Sequence, residues 1–121
     1  MMNQLIKKVC TCIDSEWTLG KAGKDCNEVC GKRGRVCNSV EQSKITDQTL
    51  IKEAMLVAGQ TCKRVKRRSY AGTPFFSKGT CVHLNRGAKS VCDNNRVPWH
   101  NALCYCEGIF CGFFSSLDIV L

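Results

Sequence analysis

Apolar residues recur at helical spacing most clearly in one stretch of the chain. Leu50, Ile51, Ala54, Met55, Val57 and Ala58 fall on one face of a 3.6-residue repeat. Thr46 or Asp47 stands where a cap accepts from the free amides of the first turn, and Gly59 stops the pattern. A shorter helix is predicted over about 25–33. Asp25 and Glu28 have capping-box spacing there, while Gly31 and Gly34 weaken and then end it. After Gly59 the pattern turns to short segments around 61–65, 80–84 and 102–106, rich in β-branched, aromatic and cysteine residues. Gly, Pro, Asn and Ser separate them, as expected of short strands with long loops. The expected class is a small, disulfide-rich α+β fold: two helices packed on a few short antiparallel strands. Residues 17–106 form a single module, 1–16 a flexible lead-in and 107–121 a tail.

Cysteine usage sharpens this picture. Eleven of the 121 residues are cysteine, near the level of a disulfide scaffold, and the apolar fraction of 44% includes them. The remaining core is thin for the length, and cross-links are the usual remedy in an oxidising compartment. Cys26 and Cys30 lie at i and i+4 of the first helix, about 6 Å apart along its axis. Cys104 and Cys106 lie at i and i+2 of a strand, on one face and about 6.6 Å apart. The spacings match, so two parallel bridges are expected, Cys26 to Cys104 and Cys30 to Cys106. This arrangement resembles the cysteine-stabilised αβ motif of defensins and scorpion toxins in those four residues only, as a geometric analogy. Among Cys37, Cys62, Cys81 and Cys92, three connectivities are open, and loop closure favours the neighbours Cys37–Cys62 and Cys81–Cys92. Cys10, Cys12 and Cys111 lie outside the module; two of them could pair, and their odd number leaves at least one thiol either free or bonded between molecules, which allows a covalent dimer.

The run WTLGKAGKDCNEVCGKRGRVC (17–37) resembles the opening of a cysteine-rich module with Trp-x-Leu-Gly, Gly-x-x-Cys-x-x-x-Cys and Gly-x-x-Cys. That module recurs in secreted proteins of algae and other protists and closes with Leu-Cys-x-Cys, matched here by Leu103 to Cys106. The opening is also similar to the cysteine-rich carboxy-terminal region of glycosyltransferase family 18, the β-1,6-N-acetylglucosaminyltransferases of N-glycan branching. The family's large nucleotide-sugar domain has no room in this chain. The resemblance therefore implies an accessory, glycan-associated module and carries no catalytic residue across.

The net charge of +8 is concentrated rather than spread. From residue 54 to residue 92 there is no acidic side chain, whereas Lys63, Arg64, Lys66, Arg67, Arg68, Lys78, Arg86 and Lys89 all lie there. Such a segment favours polyanions: sulfated or phosphorylated glycans, anionic head groups or nucleic acid. Lys63, Arg64, Lys66, Arg67, Arg68 and Tyr70 are the candidate contacts, with Phe75 and Phe76 adding apolar surface. The same run reads structurally as a solvated edge strand kept from pairing by its charges. Arg64-x-Lys66-Arg67 also has the form of a basic proprotein-cleavage site, and in a cytosolic chain the run would serve nuclear import.

Other chemistry finds less support. The cysteine spacings are not zinc knuckles, although His83 and His100 stand near cysteines, and no metal or cofactor is expected. No nucleophile motif, phosphate loop or paired-carboxylate frame occurs, so no catalytic residue is assigned and the chain is read as a non-enzyme. Trp17 and Trp99 are expected as packing anchors, with sugar stacking as their functional alternative. There is no Asn-x-Ser/Thr sequon. The segment 1–12 lacks the apolar run of a secretory signal, and no stretch approaches a membrane span. The chain is accordingly read as a mature or partial form of a secreted or lumenal protein. The leading expectation is a non-catalytic binding or scaffold module, glycan-associated through its basic patch, with no specific nucleic-acid partner. The alternatives are a cationic host-defence or toxin-like effector on anionic membranes, and a cytosolic zinc or nucleic-acid protein.

Overall fold

The computed structural model describes residues 15–68, 73–93 and 97–108. Its organising element is β6 (Asn101–Gly108), the longest strand, whose side chains alternate between two buried layers. Ala102, Cys104 and Cys106 point to one face, where α1 (Cys26–Lys32) packs through Cys26, Val29 and Cys30. Leu103 points to the other, where α3 (Gln48–Val57) brings Ile51, Ala54 and Met55. The period-2 strand thus holds one helix on each side, with two small cores instead of one large one.

Both predicted helices form, with the predicted caps. Asp25 Oδ1 accepts from the Glu28 amide at 2.8 Å, and the Glu28 carboxylate accepts from the Asp25 amide at 3.1 Å. Asp47 accepts from the Leu50 amide at 2.8 Å, and Gly59 takes a positive φ just beyond the end of α3. A third helix, α2 (Ser39–Ser43), was not predicted. It is only five residues long and buries an amide, Gln42, in place of an apolar stripe.

The sheet runs β1-β6-β4-β5-β3, with β2 also pairing β6. Here β1 is Glu16–Leu19, β2 Arg35–Cys37, β3 Arg64–Arg68, β4 Phe75–Ser77 and β5 Thr80–Leu84. The small, disulfide-rich α+β class stands, but the sheet is mixed and not antiparallel throughout, because β3 pairs β5 in parallel. Strand β4 intervenes between the two in sequence, which lets the chain cross over before β5 begins. Residue types report that a strand exists, not which way it runs. The module also extends past its expected limits, since β1 opens at Glu16 and β6 continues through Glu107 and Gly108.

The opening motif acquires a physical meaning. Trp17 and Leu19 pack toward the α3 core, and the Trp17 ring meets Tyr105 edge-on at 4.9 Å. Gly20 lies under α1, where a Cβ would stand 2.3 Å from Val29 Cγ2. Only glycine lets the helix sit this close to the strand.

Four disulfides join the described cysteines. Cys26–Cys104 and Cys30–Cys106 are the two parallel helix-to-strand bridges, with Cα separations of 5.4 and 5.2 Å. The other two correct the neighbour pairing: Cys37 bonds Cys92 and Cys62 bonds Cys81. Cys37 lies opposite Cys106 in the sheet and so belongs to the α1 layer, where the Cys92 carbonyl accepts from the Asn27 amide. Cys62 and Cys81 belong to the α3 layer. Loop length is a weak discriminator because closure cost grows only logarithmically, whereas layer membership is decisive. Cys10, Cys12 and Cys111 lie outside the described residues.

Candidate functional site

Among the described residues, strand β3 ends the sheet, pairing with β5 on one side. Its sequence is Arg-Val-Lys-Arg-Arg. Strand alternation turns Val65 toward the α3 core and leaves Arg64, Lys66 and Arg68 on the opposite face. Arg64, Lys66 and Arg67 are exposed, as is Lys63 just before the strand. None of these four makes an ion pair with a carboxylate among the described residues. Tyr70, the remaining candidate contact, lies outside the described residues.

Two further groups join this edge that the sequence pattern did not single out as contacts. The β4–β5 hairpin turns through Lys78 and Gly79, both at positive φ (48° and 84°), the type I′ arrangement. The turn docks on the start of β3. The Gly79 carbonyl accepts from the amides of Lys63 and Arg64, and Arg64 Nη2 donates to the Lys78 carbonyl at 3.1 Å. Arg64 Nε also donates to Thr80 Oγ1 at 3.2 Å, so one guanidinium is held across the sheet edge. Lys63, Arg64 and Lys78 therefore meet at one corner; Lys66 continues along the Arg64 face, and Arg67 adds a cation on the Val65 side of the strand.

Arg68 turns inward, its guanidinium carbon 5.4 Å from the centre of the Phe75 ring. His100 stacks on Phe75 with centroids 3.7 Å apart and an interplanar angle of 12°. Trp99 meets His100 edge-on at 6.1 Å. Partial burial, reinforced by the nearby Arg68 charge, holds the His100 imidazole below the ordinary histidine pKa. Trp17 is the packing anchor expected of it. Trp99 is not: 62% of its surface stays exposed, because it follows Pro98 in a loop and not a patterned element. Phe76 faces the α3 core, so only Phe75 belongs to the basic face.

A groove of about 240 Å³ between β1 and α1 is also rimmed by cations, Lys21, Lys24, Lys32 and Arg33. Lys24 is paired there with Glu28 at 3.6 Å and Arg33 with Glu16 at 2.6 Å. Its charge is partly neutralised at source, unlike that of β3. The eight bonded cysteines offer no thiolate to a metal, and the described residues contain no cluster of three or more metal-ligating side chains. His83 Nδ1 lies 2.9 Å from the Leu84 carbonyl, a local contact in the sheet.

No family model and no curated protein sequence matches the chain. Four disulfides in so small a fold suit an oxidising, extracellular or lumenal environment. Among the described residues, no helix is long and apolar enough to cross a membrane.

Proposed function

We propose that this protein is a non-catalytic extracellular or lumenal binding module whose basic edge strand engages a polyanion. The observation that carries the proposal is the line of exposed cations along β3. Arg64, Lys66 and Arg67 lie on the edge strand of the described sheet and Lys63 just before it, with Lys78 added by the docked turn and no ion pair to a carboxylate at Lys63, Arg64, Lys66, Arg67 or Lys78 among the described residues. A strand edge of this kind is straight and extended, so it suits a linear polymer with regularly spaced charge better than a compact anion. The likeness of the 17–37 opening to a glycan-processing family points the same way and makes sulfated polysaccharide the first probe.

The test is a titration with a heparin-like polysaccharide across a series of salt concentrations. Affinity should fall steeply as salt rises, because exposed charges are screened within about 10 Å at 0.1 M. The triple variant R64Q/K66Q/R67Q, made at exposed positions, should retain its fold and bind about tenfold or more weakly. Salt-insensitive binding, or none at low salt, would remove the polyanion from the proposal.

A further inference from the structure

The register of the sheet places Lys66, Val82, Phe75 and Ala102 in one cross-strand row, so the Phe75 side chain shares a face with Lys66. Arg68, two residues along, shares that face and approaches the Phe75 ring. From Phe75 the contacts continue through the stacked His100 to the edge-on Trp99. A continuous file of side chains thus leads from the basic strand to an indole that the fold leaves 62% exposed. Exposing a large aromatic surface forfeits the burial that tryptophan usually contributes, while His100 holds its orientation.

We infer that this file is a sugar subsite, and that the polyanion is an acidic polysaccharide. One pyranose ring stacks on the Trp99 indole while sulfate or carboxylate groups of the same chain run along Arg68, Lys66 and Arg64. The inference rests on the polyanion function proposed above and names its ligand class. A pyranose face carries C–H groups of slight positive character, which complement the negative face of an aromatic ring. Polyphosphates have no such face. Nucleobases do stack, but four disulfides suit a compartment in which acidic polysaccharide, not nucleic acid, is the abundant polyanion.

Three probes of comparable charge test it: a heparin-derived oligosaccharide, inorganic polyphosphate and oligo(dT). Trp99→Ala should weaken the oligosaccharide roughly tenfold, the value of one good aromatic contact, and leave polyphosphate within about twofold. Trp99→Phe should keep most of the oligosaccharide affinity. In a Trp17→Phe background, the fluorescence of Trp99 should change on adding oligosaccharide and stay constant with polyphosphate. An unchanged oligosaccharide affinity in Trp99→Ala, or an equal loss for both polymers, overturns the subsite while leaving the basic edge standing. Oligo(dT) binding tighter than the oligosaccharide, and lost in Trp99→Ala, overturns it in favour of a nucleic-acid ligand. If R64Q/K66Q/R67Q binds polyphosphate as tightly as the parent protein, the edge proposal fails and the subsite falls with it.

Discussion

Lys78 occupies a backbone conformation that suits glycine or asparagine far better than lysine. Its φ of 48° lies in the left-handed region, where an L side chain with a Cβ costs about 1–2 kcal/mol relative to the usual helical basin. The turn it occupies belongs to the type whose first central position favours asparagine. Stability alone would therefore select another residue here. Lys78→Asn is expected to stabilise the fold by about 0.5–1 kcal/mol in chemical denaturation. The same substitution should lower polyanion affinity, because it removes a cation from the corner shared with Lys63 and Arg64. The two effects have opposite signs, so a general disturbance of the hairpin would not produce both. A gain in stability with unchanged affinity would show that Lys78 plays no part in binding.

Between residues and the whole lies the central strand, whose second edge is covered in three pieces. β4 pairs with Asn101 and Ala102, β2 pairs with residues from Cys106 onward, and the gap falls at Tyr105. Gln42 fills it. Its buried side-chain carbonyl accepts from the Tyr105 amide at 2.9 Å, and its amide donates to Ser90 Oγ at 2.8 Å. The Asn38 amide completes the seam by donating to the Tyr105 carbonyl at 2.9 Å. Gln42→Leu would keep the volume and remove the acceptor of the part-buried Tyr105 amide, so it should cost about 1–3 kcal/mol. A midpoint of urea denaturation equal to that of the parent would disprove this role. The same seam shows what the sequence could and could not reveal. The helices around Val29 and Met55 were legible because capping and periodicity are local, and the Cys26/Cys30 and Cys104/Cys106 match was legible because both spacings are rigid. The α2 helix, the direction of β3 and the partners of Cys37 and Cys62 were not. Each depends on which layer a segment joins, and no neighbouring residue encodes that. On the candidate surface, the cations of β3 were visible as a run. Lys78 and Trp99 joined it only through a turn and a loop that fold back onto the sheet.

At the scale of the molecule, charge and cross-links are arranged around the same strand. The excess positive charge sits in the segment containing β3, while the remaining cations and carboxylates balance. Each disulfide joins a cysteine that precedes the basic run to one that follows it: Cys26 to Cys104, Cys30 to Cys106, Cys37 to Cys92 and Cys62 to Cys81. The backbone between Cys62 and Cys81 is therefore the one link between two halves that four other bonds already join. A protease attracted by the arginines and lysines there would convert the protein into a two-chain molecule without releasing either part. Brief digestion with a trypsin-like enzyme should leave a single species of nearly unchanged mass under non-reducing conditions and two fragments after reduction. Separation of the half that holds Cys62 from the half that holds Cys81 without reductant would contradict this connectivity. The basic surface can in this way be cut within its own strand while both severed ends stay tethered to the same body.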